Sequence, residues 1–341
     1  MSIVGAFDVH RRQLTFEYLD AVTGELKRGR VAPADREHLR EWLARLPGQD
    51  GAHFALEGCT GWRYVVEELL AAGIEPHLAE PADTAALRGR KRHAKTDKTD
   101  ARHLRVHLLA GDLPECWIPP AHVLEARGTV RLYKDLLDER GAWHQRIAAT
   151  LFHQGVPVTA SMSTVEGRAA VSGMDLSPAG RQAVETGLRQ VDRLTGELEP
   201  LRRQLDMISR RQPGCAALRA TQFCVGAVTA VAIWAELGDV RRFASSSDVV
   251  RHTGLDITVY SSDGKRSAGH LSRQGPQLLR WALYESAKCA ARPAAPDYGY
   301  YTATRDRRTG GLATLSVARK LARRCYHTLR ELGEEALAPA A

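Results

Sequence analysis

The chain has 341 residues, 44% hydrophobic and 26% charged, the balance of an ordinary globular protein with room for two or three cores. Its net charge of +8 favours a polyanionic partner. No apolar run of about 18 residues occurs, which excludes a membrane-spanning helix. The six cysteines include no Cys-x-x-Cys pair, which argues against a zinc knuckle or a disulfide framework and for reduced thiols. The start, Met1-Ser2-Ile3-Val4-Gly5, lacks a basic stretch and a cleavage site, so a cytoplasmic protein without membrane attachment is expected.

In chain order, Ile3-Val4-Gly5-Ala6-Phe7 opens a strand over 3–9, and His10-Arg11-Arg12-Gln13 is a turn. The alternation of Leu14 to Leu19 then predicts the second arm of a hairpin. A short apolar run at 53–57 predicts another strand. Trp62, Val65, Val66, Leu69 and Leu70 predict a helix over 61–72 that Gly73 ends, and a strand follows over 74–79. Leu104, Leu108 and Leu109 mark the buried side of a helix over 100–110. A hairpin followed by βαβ units predicts an α/β domain over residues 1–118.

Four acids stand out in this part. Asp8 and Glu57 end apolar runs, and Asp97 and Asp100 lie three apart on one helix face. Carboxylates gathered from separate elements repel one another and need a cation. Oxygen donors suit Mg²⁺ or Mn²⁺, the metals of phosphodiester chemistry. Arg88, Arg90, Lys91, Arg92, Lys95 and Lys98 crowd the approach to Asp97 and Asp100, where a phosphate backbone would pass.

Residues 119–211 change character. Val184, Leu188, Val191, Leu194, Leu198, Leu201, Leu205 and Ile208 recur at spacings of three and four, a coiled-coil-like seam. Leu132, Leu136, Ile147 and Leu151 form a looser one before it. The Gly-, Ser-, Thr- and Pro-rich stretch 155–180 between them is expected as a loop insertion. Such helices make an antiparallel hairpin, a dimerisation arm or part of a bundle. In the third region, 212–335, an apolar helix over 226–234 follows Gln212-Pro213-Gly214, as a plain buried helix or as half of a helix-hairpin-helix. Leu312, Leu315, Ala318, Leu321 and Cys325 line one side of a basic helix whose Arg319 and Lys320 are candidate nucleic-acid contacts, with Lys265, Arg266 and Arg273 before them.

The stretches Ala6-Phe7-Asp8-Val9-His10, Leu56-Glu57-Gly58-Cys59-Thr60-Gly61 and Ala94-Lys95-Thr96-Asp97-Lys98-Thr99-Asp100-Ala101 fall in a distinctive order. They are followed by Gly254-Leu255-Asp256, Tyr260-Ser261-Ser262, Leu271-Ser272-Arg273-Gln274-Gly275, Leu279-Arg280-Trp281-Ala282-Leu283 and Val317-Ala318-Arg319-Lys320-Leu321-Ala322. Over nearly the whole chain this series resembles the DEDD-type insertion-sequence transposases, the bridge-RNA-guided family numbered one hundred and ten, which includes the Piv-type DNA invertases. The resemblance implies an RNase H-like, Holliday-junction-resolvase-like N-terminal domain whose acids Asp8, Glu57, Asp97 and Asp100 bind Mg²⁺ (or Mn²⁺). It also implies a helical coiled-coil linker that builds homodimers and homotetramers, and a mostly α C-terminal transposase domain. In such proteins a serine of that last domain attacks DNA, forms a phosphoserine intermediate and shares a composite centre with the acids of another subunit. Donor and target DNA and a structured noncoding RNA are the implied partners, with the bacterial nucleoid as the place of action. A Piv-like invertase, or a resolvase-like nuclease without serine chemistry, is the alternative. The family pattern has a single serine followed by glycine, whereas this chain has Ser261-Ser262-Asp263-Gly264. Alignment from Tyr260 favours Ser262 over Ser261.

Overall fold

The structure, a computed structural model, describes residues 2–87, 97–156, 164–258, 261–262, 265–266 and 269–339, with the backbone alone at 165, 261–262 and 265–266. It divides into two compact units, Met1–Ile118 and Pro119–Ala341.

The first unit is a five-stranded sheet with helices on both faces. Its strands are β1 (Ile3–Val9), β2 (Leu14–Asp20), β3 (Leu26–Val31), β4 (His53–Glu57) and β5 (Glu75–Ala79), in spatial order β3-β2-β1-β4-β5. β1, β2 and β3 form an antiparallel meander, and β4 and β5 add parallel to β1. Between them lie α1 (Arg36–Ala44) and α2 (Trp62–Ala71), and after β5 come α3 (Pro81–Leu87) and α4 (Asp97–Ala110). Period-two alternation divides the sheet residues between two cores. Ile3, Phe7, Phe54 and Leu56 face Leu39 and Leu43 of α1 and Val65, Val66 and Leu69 of α2. Phe7, Phe16, Tyr18 and Phe54 gather there around Trp42, with the Phe16 and Trp42 rings 4.5 Å apart. Val4, Ala6, Ala55 and Ala79 face Leu104 and Leu108 of α4. The alanines leave room for that helix to lie close against the sheet, as organic-crystal packing density requires.

β3 and α1 carry no strong apolar run. Five of the six β3 residues are exposed or half-buried, as suits an edge strand, and α1 is set by the Asp35 cap, which accepts from the His38 amide, and by Leu39 and Leu43. α4 begins at Asp97, a turn earlier than the spacing predicts, so both acids lie in its first turn.

The second unit is helical. α5 (Ala121–His153) and α7 (Pro178–Arg211) run antiparallel, as the pairs Gln154–Ser177 and Arg140–Thr195 require. The connection between them contains α6 (Val165–Ser172) where a loop is expected, and residues 157–163 of that connection lie outside the described residues. Val184, Val191, Leu194, Leu198 and Leu205 are buried along α7 as the periodicity predicts. The α5 seam differs from expectation: Leu132 is 50% exposed, and Val123, Ala126 and Val130 are buried instead.

α8 (Pro213–Thr221) and α9 (Ala227–Leu237) follow, then α10 (Ser246–His252), the two-residue strands β6 (Ser261–Ser262) and β7 (Lys265–Arg266), α11 (Gln277–Ala287), α12 (Tyr298–Arg307) and α13 (Gly310–Leu332). α9 is buried from Ala230 to Leu237 and follows α8 after the short connection 222–226. It also explains why residues 119–211 and 212–335, expected as separate regions, form one unit. Arg127 of α5 donates to the Ala235 carbonyl at 2.7 Å, and Arg131 reaches the buried Glu236 carboxylate at 3.0 Å. α13 buries Ala313, Val317, Ala318, Leu321 and Cys325, while Leu312 is exposed.

Candidate active site

The four acids come to the carboxyl ends of the parallel strands, the usual crevice of an open α/β sheet. Pairing of Phe7 with Leu56 sets Asp8 and Glu57 side by side on β1 and β4. Alternation puts both on the face that carries Val4, Ala6 and Ala55, the face that α4 covers. On α4, Asp97, Asp100 or Ala101, Leu104 and Leu108 share one stripe. The contacts that bury Leu104 and Leu108 therefore deliver Asp97 and Asp100 to the strand ends.

Asp8 is largely buried, its side chain 17% exposed, and Asp97 is more open at 43%. The His10 Nε2 atom lies 3.0 Å from Asp8 Oδ2 and 3.5 Å from Asp97 Oδ1. Gln13 Nε2 donates to the other Asp97 oxygen at 3.1 Å. Burial pushes the Asp8 carboxyl above its usual range; the His10 contact opposes this, and the charges of Asp100 and Asp97 add to the rise. Asp100 is thus within electrostatic reach of Asp8. Glu57 and Asp8 both raise the thiol of Cys59, chiefly elevated by burial, whose sulfur is 3.8 Å from the Val9 carbonyl.

Asp8, His10 and Asp97 each offer a ligand atom within 4.8 Å of the others; Glu57 and Asp100 flank this group without being part of it. The donor set fits a divalent cation. A buried carboxylate made harder to ionise by its acidic neighbours is relieved by positive charge between them. Carboxylate oxygens are what Mg²⁺ and Mn²⁺ prefer. His10 and Gln13 are the residues that sequence reasoning missed. His10 stood inside the Ala6–His10 motif, but only the hairpin geometry shows that it bridges two acids.

The floor of the site holds a second polar layer. Thr15, paired with Asp8 across the hairpin, is buried and its hydroxyl has no hydrogen-bond partner among the described residues. Beside it the buried Glu17 takes Arg105 of α4 at 2.8 Å and Arg28 of β3 at 2.5 Å. A cleft lined by Thr15, Glu17, Arg28, Arg30 and Lys98 opens there, so Lys98 of the expected basic contacts borders the site. Arg88, Arg90, Lys91, Arg92 and Lys95 lie outside the described residues.

In the second unit the backbone of Ser261–Ser262 pairs with Lys265–Arg266 in a small hairpin. The structure does not distinguish the two serines, because the side chains of Ser261, Ser262, Lys265 and Arg266 lie outside what it describes. Its base is well defined. Thr258 N donates to the His270 carbonyl at 2.8 Å, Ser272 N to Asp256 at 3.1 Å and Arg273 N to Gly254 at 3.1 Å. Gly254 and Gly275 have φ of +67° and +113°, and a Cβ on either would collide with backbone carbonyls. Arg319 donates to the Leu255 carbonyl at 2.6 Å, and Lys320 pairs with Asp297 at 3.1 Å and lies over Tyr300. These two expected nucleic-acid contacts are thus held by the protein itself. Arg273 lines a cleft with Arg131, Lys134, Trp281 and Tyr284, where Asp138 and Glu236 pair with Lys134 and Arg131.

Two family models match the chain. A DEDD-type transposase model covers residues 5–153, and one described as the IS116/IS110/IS902 transposase family covers 218–301. Both models describe transposases, and the chain is similar to them over these two stretches. Two relatives carry transposase names. The y4rJ protein of Sinorhizobium fredii (strain NBRC 101917 / NGR234) is 29% identical over 242 residues, which cover 64% of this chain and 60% of that one. A family 20 transposase of Pseudomonas aeruginosa (strain PAO1) is 23% identical over 300 residues, 84% of this chain and 86% of that one. The first model spans Asp8, Glu57, Asp97 and Asp100, and the second spans the serine hairpin. Among the described residues no helix is long and apolar enough to cross a membrane.

Proposed function

We propose that this chain is the recombinase of an insertion sequence, cutting and rejoining DNA through a serine. The observation that carries the reading is the meeting of Asp8 and Asp97 around His10 at the carboxyl end of the sheet, with Asp100 and Glu57 beside them. In this reading the first unit is RNase H-like and Asp8, Glu57, Asp97 and Asp100 hold Mg²⁺. The bound ion would supply positive charge for the oxygens of the scissile phosphate. The protein supplies position: β1 and β4 fix two carboxylates, and α4 brings two more. Ser262 Oγ attacks phosphorus in line, a serine–phosphate bond forms and a deoxyribose oxygen leaves. Positioning and charge stabilisation do most of the work in such transfers. The protein assembles as homodimers and homotetramers, binds donor and target DNA, and takes its sequence choice from a structured noncoding RNA.

Replacing Asp97 with Ala is expected to lower cleavage and strand exchange by about a thousandfold or more while leaving DNA binding largely intact. Normal recombination by that variant would overturn the metal-site reading. Ser262→Ala is expected to abolish the covalent protein–DNA adduct on a denaturing gel, and Ser261→Ala to retain it. The reverse pattern would move the nucleophile to Ser261. Cleavage without any adduct in the parent chain would leave a water-using nuclease.

A further inference from the structure

The same face of the sheet carries a second constellation at its other end. His53 opens β4 and Glu75 opens β5, directly opposite one another, and His77 lies two residues further along β5. Four strand steps, about 13 Å, separate His53 from Glu57. Ala55 of the α4 core lies between His53 and Glu57, and Ala79 lies opposite Glu57.

His53 Nδ1 is 3.0 Å from His77 Nε2 and 3.5 Å from Glu75 Oε2, and one ligand atom from each of the three lies within 4.8 Å of the others. Ligand atoms around tetrahedral zinc stand about 3.3 Å apart, given bonds of about 2.0–2.2 Å. The His53–His77 and His53–Glu75 spacings are close to those of a coordination sphere. Behind it, His77 Nδ1 is 2.8 Å from Glu115 Oε1. Glu115 is fixed by its bridge to Ala79, and Cys116 N donates to the Leu78 carbonyl at 2.6 Å. A carboxylate that accepts the Nδ1 proton leaves the Nε2 lone pair facing His53 and Glu75, the usual arrangement behind a metal-bound imidazole.

We propose that His53, Glu75 and His77 form a second metal site that takes a zinc-class divalent ion, with Glu115 positioning His77. Two imidazoles and one carboxylate select zinc, cobalt or nickel over magnesium. As the ion binds, the proton between the rings moves from His53 Nδ1 to His53 Nε2, which frees the Nδ1 lone pair for the ion. Glu75 is 64% exposed, so solvent supplies the fourth ligand. Bound there, the ion clips β4 to β5 and, through Glu115, to the segment that follows α4.

The test uses the full chain carrying Asp97→Asn, which disables the Asp8–His10–Asp97 group, stripped with a chelator and dialysed against zinc. One zinc per chain by elemental analysis, a tetrahedral Co²⁺ absorption band and a higher melting midpoint with zinc are expected. His77→Gln should lose all three. Glu115→Gln should weaken zinc binding by about 10–100-fold. If His77→Gln fails to fold, Glu75→Gln and Glu115→Gln decide, since both side chains are about half exposed or more. Zinc retained equally by these variants, or not retained by the parent, overturns the proposal and leaves a plain hydrogen-bonded histidine pair.

Discussion

Two titratable side chains link local environment to measurable behaviour. Asp8 is buried beside Asp97 and Asp100, and its carboxyl is harder to ionise than in the unfolded chain. An acid whose folded pKa is raised costs stability at neutral pH, where it is charged in both states. Asp8→Asn is therefore expected to raise the melting midpoint of magnesium-free protein by a few degrees while abolishing strand exchange. Magnesium should raise the parent's midpoint and not the variant's. His252 behaves in the opposite sense to a paired histidine. Burial, with help from Arg242 and Arg127, lowers it to about 4, although its contact with the Glu236 backbone opposes the shift. Between pH 6.5 and 4 the unfolded chain binds the extra proton, so this stability is complete above about 6.5 and is lost as pH falls towards 4. The loss reaches about 3 kcal/mol. Denaturant midpoints recorded across that range should fall less steeply for His252→Gln than for the parent.

Among the elements, the hairpin base that carries Ser261 and Ser262 makes the sharpest claim. Gly275 has a φ of +113°, and a Cβ there would run into the His252 carbonyl. Gly275→Ala should cost about 2 kcal/mol or more. It should speed amide exchange over 254–258 and 270–273 and remove adduct formation, leaving exchange in β1, β2 and β4 unchanged. Unchanged adduct yield would mean that this base does not position the serine. The glycine was visible in the Leu271–Gly275 motif, but its reason was not, since a close backbone crossing has no periodic signal. Strands β1, β2, β4 and β5 and helices α2 and α4 were legible because each is an apolar run or stripe against a core. Strand β3 was not, because Leu-Lys-Arg-Gly-Arg-Val is a polar edge held by backbone pairing to β2. The α5 seam differs at Leu132 because the small and β-branched Val123, Ala126 and Val130 carry the buried stripe there, which leucine spacing alone does not mark. Asp8, Glu57, Asp97 and Asp100 could be picked out as acids at element ends, whereas the His10 bridge depends on which way the hairpin turns.

At the scale of the whole molecule the acids and the serine hairpin belong to different compact units, Met1–Ile118 and Pro119–Ala341. A reaction that needs both can draw them from one chain or from two. The resemblance to bridge-RNA-guided transposases implies two, and a mixing experiment separates the cases. In the proposed function, Asp97→Ala lacks a working acid cluster and keeps its serine, while Ser262→Ala keeps the acids and lacks the nucleophile. If each centre takes its acids and its serine from the same chain, no mixture of the two variants contains an intact centre. If acids and serine come from different subunits, co-assembled oligomers contain centres that pair the acids of the Ser262→Ala chain with the serine of the Asp97→Ala chain. Co-expressed variants, each inactive alone, should then recover adduct formation and strand cleavage, with the adduct carried by the Asp97→Ala chain. Tagging the two chains to different lengths identifies the carrier on a denaturing gel, and an inactive mixture of confirmed hetero-oligomers would assign both halves of the centre to one chain.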